Sequence, residues 1–235
     1  MAMLEVICLD AEDARRAEAG GADRIELLGS LEDGGMSPAV DVAREVTAAT
    51  TLPVRVMLRL RPGFGTDGGE FVRLRGLAQA YLDAGAEGIV MGFLNGHSEV
   101  DTEVMIELLR GTEWPWTMHR AIDQAFDSEQ AWRTVIHMPR LESVLTAGSA
   151  RGVEHGLDTL LDRARAHPEQ AKLIMAGGGL TAEHLPWLMR VGIRRFHIGR
   201  PARGGTWDGP VDPKLVGAWR RLIDDLARRH PLPRN

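Results

Sequence analysis

The sequence predicts an α/β protein built as a single (β/α)8 barrel, the TIM-barrel architecture. Three observations support this: short apolar segments recur along the chain, segments with helical spacing separate them, and a glycine precedes several of the apolar segments. Strict alternation of strand and helix is typical of parallel sheets. Eight such units in 235 residues average about 29 residues each, which fits a compact barrel.

The candidate strands are short runs rich in valine, isoleucine and leucine. In chain order they are LEVICLD, RIELLG, PVRVMLRLR, GIVMGFL, WTMHRAI, LESVLTAG, AKLIMAGGG and RRFHIGR. Between them lie helical patterns such as AEDARRAEAGG and GEFVRLRGLAQAYLDAG, and DPKLVGAWRRLIDDLARRH closes the chain. The repeated pattern in GADRIEL, GAEGIVM and GIRRFHI predicts that Gly21, Gly85 and Gly192 each end a helix before a strand.

We predict one domain over residues 1–235, because no linker or low-complexity segment interrupts the pattern. The alternative is an open, doubly wound sheet. It is less favoured because the first strand–helix junction, LDAEDA, lacks the glycine fingerprint of dinucleotide folds. The long irregular segment RPARGGTWDGPVDP is interpreted as the loop after the eighth strand.

Composition narrows the classes of function. The formal net charge is −5 and the charges are interleaved, which argues against a nucleic-acid surface. The short apolar run at the N-terminus, with no basic residue before it, predicts neither a signal peptide nor a membrane span. With Cys8 as the single cysteine, no intrachain disulfide forms, so we expect a soluble cytoplasmic protein.

Active sites of such barrels lie at the carboxyl ends of the strands, so polar residues there carry functional weight. Alternation along PVRVMLRLR predicts that Arg55, Met57, Arg59 and Arg61 face the barrel interior. The candidates at the strand ends are Asp10, Glu26, Arg59, Arg61, His119, Arg120, Asp123, Thr146 and His197.

Two interpretations of the inward charges stay open. A buried ion-pair network is favoured for Glu5 and Arg55, which lie deeper in the barrel. A ligand-binding or catalytic role is favoured for the set nearer the mouth, because titratable groups converging in one cleft often mark a site. That set is Glu26, Arg59, His119 and His197.

The segment AGGGLTAEH places Gly177, Gly178 and Gly179 between the seventh strand and a helix. Loops at this position bind phosphate in many barrels, with Arg200 and Arg203 as nearby positive charges. The glycines are equally consistent with a tight turn. A second loop, GSLEDGGMSP, follows the second strand and is a candidate gate for the pocket.

Taken together, GADRIELL, EDGGMSP, MHRAID, VLTAG and IMAGGG resemble the CutC family, the copper homeostasis protein family. The likeness extends from Leu4 to about Gly199 and implies a single (β/α)8 barrel. The family's aromatic-His-Arg-Ala-Phe-Asp stretch corresponds to Met118 through Asp123. Copper as a cofactor is implied by this resemblance, and proposals for it use two cysteines near the first two strands. Here Leu28 follows GADRIEL, so Cys8 is the one cysteine that matches, and the loop after strand three, RPGFGTDGGEF, also departs from the family.

The first hypothesis is a barrel whose mouth binds a small anionic metabolite and processes it if the protein is an enzyme, a point the residues leave open. In it, Arg59 and Arg61 neutralise the anion, His119 or His197 moves a proton, and Glu26 or Asp123 orients that histidine. Asp10, Arg120, Thr146, the three glycines and Arg200 complete the expected ligand-binding set.

The second hypothesis is a copper(I)-binding or trafficking protein that uses Cys8 with methionine or histidine ligands. Met57, Met91 and Met118 lie on candidate strands, but nothing in their spacing requires a site. The third hypothesis is a scaffold that acts through its surface. The residues leave the oligomeric state open, and the candidate subunit contacts of a homo-oligomer are Trp187, Trp207, Trp219 and Phe126.

Overall fold

The computed structural model describes residues 2–232 and confirms the predicted (β/α)8 barrel. Its parallel strands pair in chain order, and the last strand pairs with the first to close the barrel. The strands are β1 Met3–Cys8, β2 Arg24–Leu27, β3 Val54–Met57, β4 Gly88–Met91, β5 Trp116–Met118, β6 Leu141–Thr146, β7 Ile174–Ala176 and β8 Arg195–Ile198. Residues 1 and 233–235 of the predicted domain lie outside the described residues.

Helices cover the outside of the barrel. They are α1 Ala11–Ala19, α2 Val40–Ala49, α3 Gly68–Asp83, α4 Thr102–Leu109, α5 Ser128–Val135, α6 Val153–Ala166, α7 Pro168–Ala171, α8 Leu185–Arg190 and α9 Pro213–Arg229. Helices α1, α3, α4, α5 and α9 each begin after an aspartate that accepts a backbone N–H of the first turn. Within residues 2–232, no helix is long and apolar enough to cross a membrane.

The predicted glycine positions are confirmed as helix ends. Gly21, Gly85 and Gly192 have φ angles of 88°, 99° and 91°, in the left-handed region that favours glycine. Their N–H groups bond to carbonyls of the preceding helical turn. Each glycine therefore stops a helix and turns the chain toward the next strand.

Alternation along the strands separates two environments. Outward residues such as Val6, Cys8 and Val56 pack under the helices in one large apolar cluster. A small second cluster inside the barrel consists of Ile7, Leu28, Met57 and Val90. The rest of the interior is largely polar, which is the arrangement predicted for the inward charges.

Strand β3 is shorter than predicted and ends at Met57. Beyond it, the Arg59 backbone leaves the sheet and exchanges hydrogen bonds with Ser37. Alternation therefore no longer assigns a face to residues 60 and 61. Leu60 is 37% exposed, and the prediction that Arg61 faces the interior is wrong.

Candidate functional site

A cavity of about 800 Å³ opens at the carboxyl ends of the strands. Glu26, Met57 and His197 line its deepest part, where they project from β2, β3 and β8. Arg120 and Trp207 are among the loop residues that line its rim. This position matches the end of the barrel where the sequence predicts the candidate site.

His197 lies between two carboxylates. Its Nδ1 donates to Glu5 Oε1 at 2.8 Å, and its Nε2 lies 3.5 Å from Glu26 Oε2. The register explains this arrangement, because Glu5 pairs with His197 across β1 and β8 and Ile7 pairs with Glu26 across β1 and β2. The side chains of all three polar residues are at least 94% buried, so their charges interact strongly.

Burial raises the pKa of Glu26 to about 7, despite the neighbouring His197. Burial also opposes ionisation of Glu5, but Arg24 and His197 outweigh it and lower the Glu5 pKa to about 2. The pKa of His197 is raised because Glu26 and Glu5 outweigh the effect of its burial. Glu26 therefore titrates near neutral pH beside His197, while Glu5 stays ionised.

His119 follows β5 and begins a short 3-10 turn over Arg120–Gln124. Its Nδ1 accepts the Ala121 N–H at 3.2 Å, so the neutral ring carries its proton on Nε2. That Nε2 is buried and has no hydrogen-bond partner among the described residues. Burial, and then the charge of Arg59, lower the His119 pKa to about 3, which keeps the ring neutral. His119 is thus an unused hydrogen-bond donor at the cavity wall.

Arg59 lines the cavity, but its donors are occupied. Its Nε donates to Gly63 O at 2.9 Å, and its Nη1 donates to Asp33 O at 2.7 Å. Its Nη2 pairs with the Asp33 carboxylate, and its guanidinium lies 4.5 Å from the Phe64 ring centroid. The contacts of Arg59 therefore join the loops after β2 and β3, and its role in neutralising an anion stays a prediction.

Two other predicted ligand-binding residues lie away from the cavity. Arg61 pairs with Asp67 and Glu70 at the start of α3, on the outside of the barrel. Asp10 is the N-cap of α1, where its carboxylate accepts the Asp13 N–H at 2.8 Å. Its local role is to satisfy a helix terminus, which accounts for an acid at this strand end.

Asp123 orients an arginine, so of the two carboxylates predicted as alternatives for orienting a histidine, Glu26 is the one that lies beside His197. The buried Asp123 carboxylate accepts Arg120 Nε at 2.8 Å and Ala147 N–H at 2.9 Å. Thr146 donates its hydroxyl to the same carboxylate, so Thr146 supports the site from behind rather than facing the cavity. Burial raises the pKa of Asp123. The result is a rigid Arg120 at the rim.

The glycine loop forms the wall next to Arg120. The Gly177 N–H is bonded to Thr146 O at 3.1 Å, whereas Gly178 and Gly179 line the cavity. Both line it in left-handed conformations, with φ angles of 84° and 83°. A Cβ added at Gly178 would lie 2.7 Å from Arg120 Nη1, so the guanidinium lies directly against this glycine. Only glycine allows this approach.

The loop after β8 supplies one arginine to the cavity and one to the core. Arg200 is exposed and lines the rim. Arg203 instead points inward, where it pairs with Asp13 and donates to Ile7 O at 2.9 Å. Trp207 lines the cavity and lies so close to Gly199 that a Cβ there would be 2.1 Å from its ring.

Several residues of this cavity are not predictable from the sequence pattern. Asp33, Phe64 and Arg151 lie in loops without periodicity, and the sequence suggests a subunit contact for Trp207, which lines the cavity. Glu5, predicted to belong to an ion-pair network, also holds the catalytic candidate His197. The loop after β3 departs in sequence from the CutC family. Because this loop belongs to the mouth, the departure could have indicated that Phe64 lines the cavity.

The closed parallel barrel, with a cavity at the carboxyl ends of its strands, defines a TIM-barrel protein with a candidate ligand site. Residues 2–201 match the CutC family. The chain therefore belongs to the CutC family, as the motifs in its sequence indicate.

Similar proteins agree with this assignment. A CutC family protein from Klebsiella pneumoniae (strain 342) is 34% identical over 233 residues, covering 98% of this chain and 86% of the relative. A CutC family protein from Enterobacter sp. (strain 638) is 32% identical over 210 residues, covering 88% and 82% of the two chains. The solved structure of CutC from Streptococcus agalactiae, named for copper homeostasis, superimposes with a TM-score of 0.76. At 24% identity, covering 85% of this chain and 98% of that one, it shows the shared fold.

The copper association of the family does not fit Cys8. Its thiol is fully buried in the apolar layer outside the barrel, and burial raises its pKa well above the usual range. Met91 and Met118 share that layer but lie on β4 and β5, across the barrel from β1. Among residues 2–232, no group of three or more histidine, cysteine or acidic side chains is arranged to hold a metal ion. The surroundings of Cys8 are those of a small hydrophobic residue.

Proposed function

We propose that the mouth cavity binds a small anionic metabolite and that the Glu26–His197 pair transfers a proton to or from a carbon atom of it. One observation carries the proposal: His197 is clamped between Glu5 and Glu26 in the deepest part of the cavity. A histidine oriented by one carboxylate and paired with a second is a typical acid–base arrangement.

Each group has a distinct role in this proposal. Glu5 stays ionised and fixes the Nδ1–H tautomer of His197, so that Nε2 faces Glu26. Glu26, with a pKa of about 7, accepts the proton from carbon, and the C–H electrons move onto an adjacent carbonyl oxygen. Neutral His119 offers its Nε2–H to that oxygen as negative charge develops there. Return of the proton restores the acid–base pair.

The rim favours an anionic metabolite. Arg120, Arg151 and Arg200 all line the cavity. Because Arg59 is held by Asp33 and by backbone carbonyls, the attraction for an anion is assigned to the rim arginines. Charged ligands are drawn into clefts lined by the opposite charge.

Deuterium exchange tests the proton transfer without knowledge of the product. The full-length protein is incubated in D2O with a panel of carboxylated and phosphorylated carbonyl compounds, and loss of C–H signals is followed by proton NMR. We expect exchange at one carbon of at least one compound, increasing in rate toward neutral pH as Glu26 ionises. The variants Glu26→Gln and His197→Asn should lower the rate by a factor of about 100 or more.

The matched control is Glu45→Gln, which removes an exposed carboxylate from α2. It should exchange at the wild-type rate. Exchange that persists at that rate in Glu26→Gln would contradict the proposal.

A further inference from the structure

We infer that the rim between β5 and β8 is a subsite for a phosphate monoester, built from the Gly178 and Gly179 N–H groups, Arg120 and Arg200. This inference rests on the proposed function and names its substrate class as a short phosphorylated metabolite. It is carried by the hydrogen bonding of Arg120, the geometry of the glycines and their contact with His197.

Arg120 is held in place by hydrogen bonds from two of its three guanidinium nitrogens. Its Nε donates to Asp123, and its Nη2 donates to Ser149 O at 3.0 Å and Ala150 O at 3.1 Å. Among the described residues, Nη1 donates to no protein acceptor. A guanidinium fixed in this way loses little conformational freedom when it binds an anion.

The glycine loop offers backbone donors beside that nitrogen. The Gly178 carbonyl accepts the Val153 N–H at 2.9 Å, which fixes the peptide and links the loops after β6 and β7. Within residues 2–232, the N–H groups of Gly178 and Gly179 donate to no protein acceptor. Two backbone donors and a guanidinium on one wall suit a tetrahedral anion, which presents several acceptor oxygens at once.

The charge balance of this wall favours an anion. The cavity lining on this side includes Arg151, Arg200 and the carboxylate of Glu154, while the other two lining carboxylates, Glu26 and Asp33, lie on β2 and in the loop after it. Arg120 and Asp123 neutralise each other as a pair. The wall therefore keeps a positive charge next to the backbone donors, where a phosphate dianion gains more than a singly charged carboxylate.

Contact with His197 sets the length of the metabolite. A Cβ added at Gly177 would lie 2.9 Å from His197 Cβ and 3.0 Å from its Cδ2, so the loop begins directly against the acid–base pair. Consecutive Cα atoms are about 3.8 Å apart, so Gly179 lies within about 8 Å of Gly177. We therefore expect on the order of three to five carbon atoms between the reacting carbon and the phosphate.

Inorganic phosphate is the first probe, titrated into the full-length protein at fixed ionic strength and followed by calorimetry or by phosphorus NMR. Arg120→Gln should weaken phosphate binding by a factor of about 10 or more, and Arg200→Gln by a factor of about 3. The control Arg44→Gln removes an exposed arginine from α2 and should leave binding unchanged. If Arg120→Gln fails to fold because Asp123 loses its partner, Arg200→Gln decides the test, since its side chain is exposed.

The outcomes separate this inference from the proposed function. Phosphate binding that depends on Arg120 or Arg200, without deuterium exchange in phosphorylated compounds, supports the subsite and contradicts the proton transfer. Exchange that occurs in compounds lacking phosphate, at rates unaffected by Arg120→Gln and Arg200→Gln, overturns the subsite and leaves the proton transfer intact. Equal phosphate affinity in wild type and in both rim variants overturns the subsite directly.

Discussion

The buried carboxylates at the two ends of the barrel interior differ in how completely they are paired with cationic side chains. At the amino-terminal end, Glu5 and Glu142 are surrounded by Arg24, Arg55 and Arg195, and each carboxylate oxygen has a cationic partner. At the mouth, Glu26 has one ion-pair partner among the described residues, His197 at 3.5 Å, and its Oε1 has no hydrogen-bond partner there. The carboxylates at the bottom are fully paired, although Arg24 Nη2 and Arg55 Nη1 have no hydrogen-bond partner among the described residues, whereas the Glu26 carboxylate at the mouth is only partly paired.

We expect this difference to separate structural charge from functional charge. Buried ions are tolerated where fixed partners compensate them, and such networks at the bottom of a barrel contribute to stability. Uncompensated groups cost stability and are retained where a ligand completes their interactions. His119, whose buried Nε2 has no partner in the described chain, belongs to the second class.

The largest effect is expected at the bottom of the barrel. Arg24→Ala should lower the free energy of unfolding by about 3–5 kcal/mol, because it leaves buried Glu5 without its arginine. The measurement is urea unfolding at neutral pH. Arg195→Ala is the matched control, since its side chain is 24% exposed and should cost less. A loss below about 1 kcal/mol in Arg24→Ala would show that the bottom network is not structural.

The pH dependence of stability should have opposite signs at the two ends. The Glu26 pKa is about 7 in the fold against an ordinary value of 4.5, so its stabilising contribution is complete below pH 4.5 and disappears as pH rises through 7. Glu26→Gln should therefore become more stable than wild type as pH rises over this range, by about 1–3 kcal/mol.

The Glu5 pKa is lowered to about 2, so its contribution is present above pH 4.5 and is lost as pH falls toward 2. Glu5→Gln should be less stable than wild type at neutral pH, and the difference should shrink as the solution is acidified. Unfolding free energies at several pH values check both variants. If the stability difference from wild type changed with pH in the same direction for both variants, the distinction between the two ends would be lost.

A smaller effect on stability is expected from His119→Asn. Asparagine is also a good helix N-cap, so it can accept the Ala121 N–H, and we expect a change within about 1 kcal/mol at pH 7. The pKa of His119 is about 3 in the fold, so its contribution is present above 6.5 and is lost as pH falls. The variant should therefore lose less stability than wild type between about pH 6 and about pH 4. Ligand binding at the mouth should weaken, and loss of several kcal/mol of stability would contradict a site role.

The periodic pattern of apolar residues along the strands makes both the fold and the centre of the candidate site predictable from the sequence. Strand alternation assigns Glu26 and His197 to the interior, and the position of His119 after a strand puts it at the mouth. The assignment fails at Arg61, because the alternating pattern continues in sequence after the strand has ended at Met57. Asp33 and Arg151 follow no period, since their positions depend on contacts between loops.

The smallest effect is expected for copper binding, because we expect neither wild type nor Cys8→Ser to retain Cu(I). Soft Cu(I) is held best by at least two sulfur ligands in a fixed arrangement, and Cys8 supplies the single thiol of this chain. Its Sγ lies 3.8 Å from Val6 O, under the helices and on the opposite face of β1 from the cavity. An anaerobic competition with a colorimetric Cu(I) chelator should leave the metal on the chelator for both wild type and Cys8→Ser. If wild type retains one equivalent and Cys8→Ser loses it, function resides in the outer layer of the barrel. The contrast between bottom and mouth would then no longer locate the functional site.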